Sequence, residues 1–311
     1  MLSVAVSLAL LGAALHILDW DTLRSTVLQV HLGGLLLVVC VSFLQFVVMS
    51  IRWHQLIQRK VPLSQAEHMQ HYFYSVFLNT FTPANLGGDV YRVMVLESRL
   101  ANRSFVLAAL IQERMLGLIA FALWYLVCFT STWSLNADLL RATHGLFTTS
   151  GGVIVLGTIG LALIPLGLHR LAGWMSQRFP DRLTTTLRHL GAALRFETPA
   201  HFAKLLGLSL LAVYLWVLTV HLVAADLGLD ISWVSLGMIV VLVELVRLLP
   251  VSIQGIGIRE GAYAYLFGVI GESSEAGFIL GAISYLALNL SIFIAGAVGF
   301  GCLIVARQHR G

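Results

Sequence analysis

Charge is what this chain has least of. Only 11% of its 311 residues are Asp, Glu, Lys or Arg, while 58% are hydrophobic and the mean hydropathy is +0.88. A soluble domain carries roughly 25% charged residues, so the balance excludes an ordinary soluble enzyme and points to a membrane protein with no soluble catalytic domain attached. Cysteine is scarce as well. Cys40, Cys128 and Cys302 sit in apolar runs without metal-ligand spacing, and they read as core packing. There is no Gly-rich P-loop with Lys, no nucleotide fingerprint and no Ser-His-Asp order, so neither an ATP site nor a catalytic motif is visible and no cofactor or metal is expected. His68 and His71 are three apart with only Glu67 beside them, and they read as interfacial. A net charge of +4 is too small to argue for a nucleic-acid partner.

What fills the chain instead is long apolar runs. Those near the ~20 residues needed to cross a bilayer fall at about 1–18, 31–51, 105–130, 146–168, 204–225 and 277–305, and three shorter or interrupted runs fall at 69–82, 233–250 and 258–270. The first run has no basic flank, so it reads as a membrane helix before a secretory signal. The expected fold is all-α: one transmembrane helical bundle of about eight spans, including broken or re-entrant helices. Trp20, Trp53, Trp124, Trp133, Trp174, Trp216 and Trp233 lie mostly near run ends and read as interface anchors. Gly296, Gly299 and Gly301, like Gly151, Gly152, Gly157 and Gly160, read as sites of close helix packing.

Loop charge sets orientation. Arg52, Arg59 and Lys60 in 52–68, Arg92, Arg99 and Arg103 in 83–104, five arginines in 169–203, and Arg307 and Arg310 in the tail predict cytoplasmic segments, and place both termini in the cytoplasm of a bacterial inner membrane. Half one then covers about 1–168, a connector 169–203, and half two about 204–305, with matching spans running in opposite directions. That is an inverted repeat. Leu183, Leu187, Leu190 and Leu194 give the connector one apolar stripe, which suits either an interfacial helix or a solvated loop.

Two short stretches look like copies of one device. Pro83-Ala84-Asn85-Leu86-Gly87-Gly88-Asp89-Val90-Tyr91-Arg92 and Pro250-Val251-Ser252-Ile253-Gln254-Gly255-Ile256-Gly257-Ile258-Arg259 each break an apolar run with proline and bring an arginine nine residues later. Broken backbone inside apolar sequence is tolerated where it lines a cavity or is buried in protein, and matched breaks in two halves mark a transporter's binding site. Gly87 and Gly88 at a helix start would let backbone N–H groups approach an anion, and Asn85 and Asn79 add amides. The same residues would also suit a glycine turn with a surface Asp89–Arg92 pair.

Four acids accompany the arginines. Asp89 and Arg92, and again Glu244 and Arg247, are three apart and share a helix face. Glu113 and Arg114 are adjacent, so they cannot simply pair with each other, and Glu113 is expected to meet Arg92. Glu260 follows Arg259. A charge near mid-bilayer costs on the order of 3 kcal/mol by insertion scales. These groups must therefore face protein or water, although helix packing or snorkelling would also account for a pair. Arg92, Arg259, Arg247, Asn85, Gly87, Gly88, Ser252, Gln254, Gly255 and Gly257 are the candidate ligand groups. Asp89, Glu113, Arg114, Glu244 and Glu260 are the candidate charge-pairing or proton-coupling groups.

The runs Asn79-Thr80-Phe81-Thr82-Pro83 with Gly87-Gly88-Asp89 and Arg92, Glu113-Arg114 with Gly117, and Leu249-Pro250 with Ser252, Gly255, Gly257, Arg259, Glu260 and Gly261, together with Arg52-Trp53, resemble the lysylphosphatidylglycerol synthase transmembrane-domain family of flippase-like membrane proteins. Thr80-Phe81-Thr82 departs from the apolar ending usual before the proline. The resemblance implies a stand-alone form of a lipid-translocating module, without the synthase activity. The expected substrate is an anionic phospholipid or a polyprenyl-phosphate-linked lipid, and a lipid-biosynthesis enzyme is a possible partner. The rival reading is a membrane-embedded enzyme or accessory subunit of lipid glycosylation or modification. A third is a transporter of small soluble anions.

Overall fold

The computed structural model describes residues 31–58, 60–61, 63–82, 86–100, 103–135, 198–247 and 255–308. Among these residues there are eight helices and no strand: α1 Leu32–Ile57, α2 Gln65–Asn79, α3 Gly87–Leu100, α4 Arg103–Leu135, α5 Pro199–Asp226, α6 Trp233–Arg247, α7 Ile258–Val269 and α8 Ser274–Gln308. Four are long and apolar enough to cross a membrane, within α1, α4, α5 and α8. The runs 1–18 and 146–168, the connector stripe, Trp20, Trp174, Asn85, Ser252, Gln254 and both device prolines lie outside the described residues.

The order long, short, short, long occurs twice. Helices α5, α6, α7 and α8 start 167, 168, 171 and 171 residues after α1, α2, α3 and α4 (199 against 32, 233 against 65, 258 against 87, 274 against 103). The first pair shows how the halves are related. His31 meets Asp226, Ser42 meets Thr219, and Arg52 meets Ser209. Numbers rise along α1 as they fall along α5, so these counterpart helices are antiparallel. A rotation that superposes them must have its axis across the bundle, which gives the predicted inverted repeat its geometry. The cross-packing has the same symmetry: α2 lies on α8 while its counterpart α6 lies on α4.

Local signals set the short helices. Ser64 opens α2 with a capping box, its hydroxyl accepting the Glu67 N–H at 3.2 Å while the Glu67 carboxylate accepts the Ser64 N–H at 3.1 Å. Thr198 caps α5 through the His201 N–H, with Pro199 in the first turn. The start of α3 is held from the end of α2 and the turn after it: Thr82 Oγ1 accepts from Gly87 N–H at 2.8 Å, and Asn79 Oδ1 from Gly88 N–H at 2.7 Å.

In a bilayer the tails are as apolar as the side chains, so close contact rather than exclusion of water drives helix association. Gly296 and Gly299 of α8 supply that contact, resting on the Phe77 side chain and on the Gln70–Tyr74 backbone of α2. Gly301 faces open space. Two large clusters, and a small one of Val48, Ala212 and Leu215, fill the interior. One joins α1, α2 and the first turns of α4 around Trp53, Phe73 and Val106. The other joins α4, α5, α6 and α8 around Val217, Val241 and Leu280. Leu36, Val127, Phe293 and Phe300 face outward, as a lipid-facing surface requires.

Several sequence expectations change. Segment 83–104 is mostly helix α3 rather than a loop, and α1 continues through Arg52 to Ile57, so Arg52 and Arg92 are buried and no longer count as loop charge. The orientation argument then rests on Arg59, Lys60, Arg99, Arg103, the connector and the tail arginines Arg307 and Arg310. Trp53 and Trp216 are interior rather than interfacial, and so is His68, whose ring nitrogen lies 2.7 Å from that of His54. Of the cysteines only Cys128 is in the core, while Cys40 is exposed. Hydropathy alone could not show this, because partners on other helices decide whether a polar residue in an apolar run is internal.

Candidate functional site

A cavity of about 280 Å³ lies between the halves and draws its wall from both. Its polar wall is Arg52, Arg92, Glu113, Arg114, Glu244 and Arg247, with Gln45, Tyr72 and Asn79. Its apolar wall includes Phe46, Met49, Val76, Phe121, Leu288 and Ile292. The lining therefore offers both charge and hydrocarbon to an occupant.

Each charged group owes its place to a helix and a spacing. Asp89 and Arg92 stand one turn apart on α3 and are bonded at 2.5 Å. Glu113, inside α4, accepts from Arg92 Nη1 at 2.7 Å through one oxygen and from Arg52 Nη2 at 3.3 Å through the other. The expected Glu113–Arg92 pair therefore forms, and Arg52 joins it. Arg114, pointing about 100° away from Glu113, reaches Asp89 Oδ2 at 2.9 Å and is half exposed. Arg52 also donates to Ser209 Oγ of α5 at 2.9 Å, tying the network to the other half. Tyr72 donates to Glu113 at 3.5 Å, and the Arg92 guanidinium lies 4.3 Å from the centre of the Trp53 ring.

The second half is built from similar parts. Arg247 donates from Nε at 2.8 Å and Nη2 at 2.6 Å to Glu244 Oε2, one turn back on α6. Arg259, in the first turn of α7, stands behind the wall with its guanidinium 4.6 Å from the Tyr285 ring centre and 5.9 Å from that of Trp216. Four guanidiniums on or at the wall (Arg52, Arg92, Arg114, Arg247) face three carboxylates bonded to them (Asp89, Glu113, Glu244), so the site favours an anion.

The glycines do something other than expected. The N–H groups of Gly87 and Gly88 are held by Thr82 and Asn79 and are not presented to a ligand. A Cβ at Gly88 would lie 2.0 Å from the Ser75 carbonyl oxygen, so this glycine permits the close α2–α3 approach. Gly255 and Gly257 have φ of 81° and 80°, a left-handed backbone suited to glycine. The Gly257 N–H is held by Glu260 at 2.7 Å, so that carboxylate caps α7 rather than neutralising an arginine.

Arg52, Tyr72, Trp53 and Trp216 were absent from the predicted site. A signal for Arg52 existed: Gln45, Met49 and Arg52 fall at i, i+4 and i+7 of one helix, and all three line the cavity. Tyr72 and the tryptophans carry no such mark, because only the fold brings them under the arginines.

The family model described as Lysylphosphatidylglycerol synthase TM region matches residues 1–296, and the chain belongs to that family. No curated protein and no solved structure matches the chain.

Proposed function

We propose that this member of the family carries a lipid with an anionic phosphate headgroup, a phospholipid or a polyprenyl-phosphate-linked lipid, between the two leaflets of a bacterial inner membrane. The observation that carries the reading is the cavity itself. It lies between antiparallel halves and is lined by guanidiniums together with phenylalanine, methionine and aliphatic side chains. A small soluble anion would have no use for the apolar wall, and an acyl chain would have none for the arginines. Both carboxylates on the wall are engaged by arginines, which suits electrostatic holding better than acid–base work on a bound lipid.

The chemistry is charge-assisted hydrogen bonding. Arginine presents a planar fork that matches two phosphate oxygens. Arg247 and Arg114 are the accessible members, at 26% and 50% side-chain exposure, and meet the headgroup first. Arg92 and Arg52 are held by Glu113 and set the potential of the chamber. Cytoplasmic termini and a lipid-biosynthesis enzyme as partner belong to the same proposal.

The test is translocation of fluorescent phosphatidylglycerol in proteoliposomes, followed by quenching of the outer leaflet. Arg247→Ala is expected to slow the rate at least tenfold while the protein elutes normally from a sizing column. An unchanged rate overturns the proposal, and so does recovery of lipid with altered mass.

A further inference from the structure

Among the described residues, the second half holds a buried cation with no hydrogen-bond acceptor. Arg259 is 1% exposed, yet none of its three guanidinium nitrogens is hydrogen-bonded among the described residues. A buried charged donor without an acceptor is costly. The nearest carboxylate oxygen is Glu244 Oε1, at 3.9 Å from Arg259 Nη2, too far for a hydrogen bond. That oxygen is itself buried and unbonded. Glu244 is held short of Arg259 because its other oxygen is gripped by Nε and Nη2 of Arg247. The first half shows the completed arrangement, with Arg92 bonded to two carboxylates.

We infer that Glu244 is a positioning residue shared by two arginines: a phosphate headgroup that takes the fork of Arg247 releases the carboxylate to Arg259. The inference rests on the lipid reading of the cavity. Headgroup and carboxylate compete for the same two donors of Arg247, the face that a phosphate with two unesterified oxygens also fits. Once released, Glu244 completes the pair with Arg259 by moving about 1 Å, from 3.9 Å to the usual charge-assisted distance.

The exchange acts at the start of α7. A Cβ at Gly255 would lie 2.6 Å from Arg247 Cγ, so the arginine stem rests on the backbone at Gly255. Two residues on, Gly257 opens α7 under the Glu260 cap. Movement of Arg247 toward the headgroup lifts the stem from that backbone, and the new Glu244–Arg259 bond draws α6 and α7 together. Headgroup capture in the cavity is thereby transmitted to α7.

The test is a double-mutant cycle on binding, with translocation as the second readout. Short-chain phosphatidylglycerol and inorganic phosphate are titrated onto the purified full-length protein. Arg259→Gln is expected to weaken binding about tenfold in the wild-type background and less than twofold in the Glu244→Gln background, where there is no carboxylate to receive. Arg259→Lys, which keeps the charge, retains binding near wild type. Glu244→Gln binds lipid but translocates it at least tenfold more slowly. Equal weakening by Arg259→Gln in both backgrounds, or none in either, overturns the exchange. Lipid translocation with an additive cycle leaves the lipid reading standing and removes this one. A coupled cycle with phosphate in a protein that moves no lipid does the reverse, and a wild-type protein that binds neither probe overturns both.

Discussion

The Glu113 carboxylate is the point at which the site is most sensitive to loss of charge. It sits between Arg52 and Arg92, and all three side chains are less than 10% exposed. Glu113→Gln keeps the shape and one acceptor but removes the charge that two guanidiniums share. Arg92 retains Asp89, whereas among the described residues Arg52 retains only the Ser209 hydroxyl. Removing one partner of a buried pair costs about 3–5 kcal/mol, and the remaining amide hydrogen bond returns about 1 kcal/mol, so the net loss is about 2–4 kcal/mol. If stranded charge is the cause, Arg52→Gln in the same protein removes part of it. The double variant should then be more stable than the sum of the two single effects by about 1–3 kcal/mol. Unfolding of the four purified proteins in one detergent, followed by tryptophan fluorescence in a denaturant titration, measures this. Additive losses, or a Glu113→Gln protein as stable as wild type, would refute the reasoning.

Gly88→Ala is expected to force α3 off α2, because the added methyl meets the Ser75 carbonyl at 2.0 Å; Gly117→Ala, with nothing within 4 Å, is expected to stabilise α4 by up to about 1 kcal/mol. The order of their unfolding midpoints checks both. Ser42→Cys with Thr219→Cys is expected to cross-link on mild oxidation, since the two hydroxyl oxygens lie 3.4 Å apart across the antiparallel α1–α5 pair. Absence of the cross-link under conditions that oxidise a control pair would count against the register, and with it against the inverted relation of the halves.

Much of the architecture was legible because hydrocarbon leaves the backbone few options. An apolar run of bilayer length must be a helix, since its own hydrogen bonds are the only ones on offer, and α1, α4, α5 and α8 follow from that alone. The repeat was legible too, because the proline-to-arginine spacing recurs, and the helices α3 and α7 that follow the two breaks begin 171 residues apart. So were the intrahelical pairs Asp89–Arg92 and Glu244–Arg247, where three residues of helix bring two side chains to one face. The role of the glycines was not legible. The sequence shows only that a side chain is missing, and a ligand, a neighbouring helix or a left-handed turn would each require that.

The sequence by itself determined an all-helical membrane protein in two matched halves, with arginines and acids carried into apolar surroundings at each break. The tertiary structure decided how those charges are shared. It placed Arg52 on Glu113 from 61 residues away, set Trp53 beneath Arg92, and held Arg259 just short of the carboxylate it faces. The reason is distance. Periodicity fixes neighbours within one helix, but the partner of a long flexible side chain across a bundle depends on where several helices come to rest against each other.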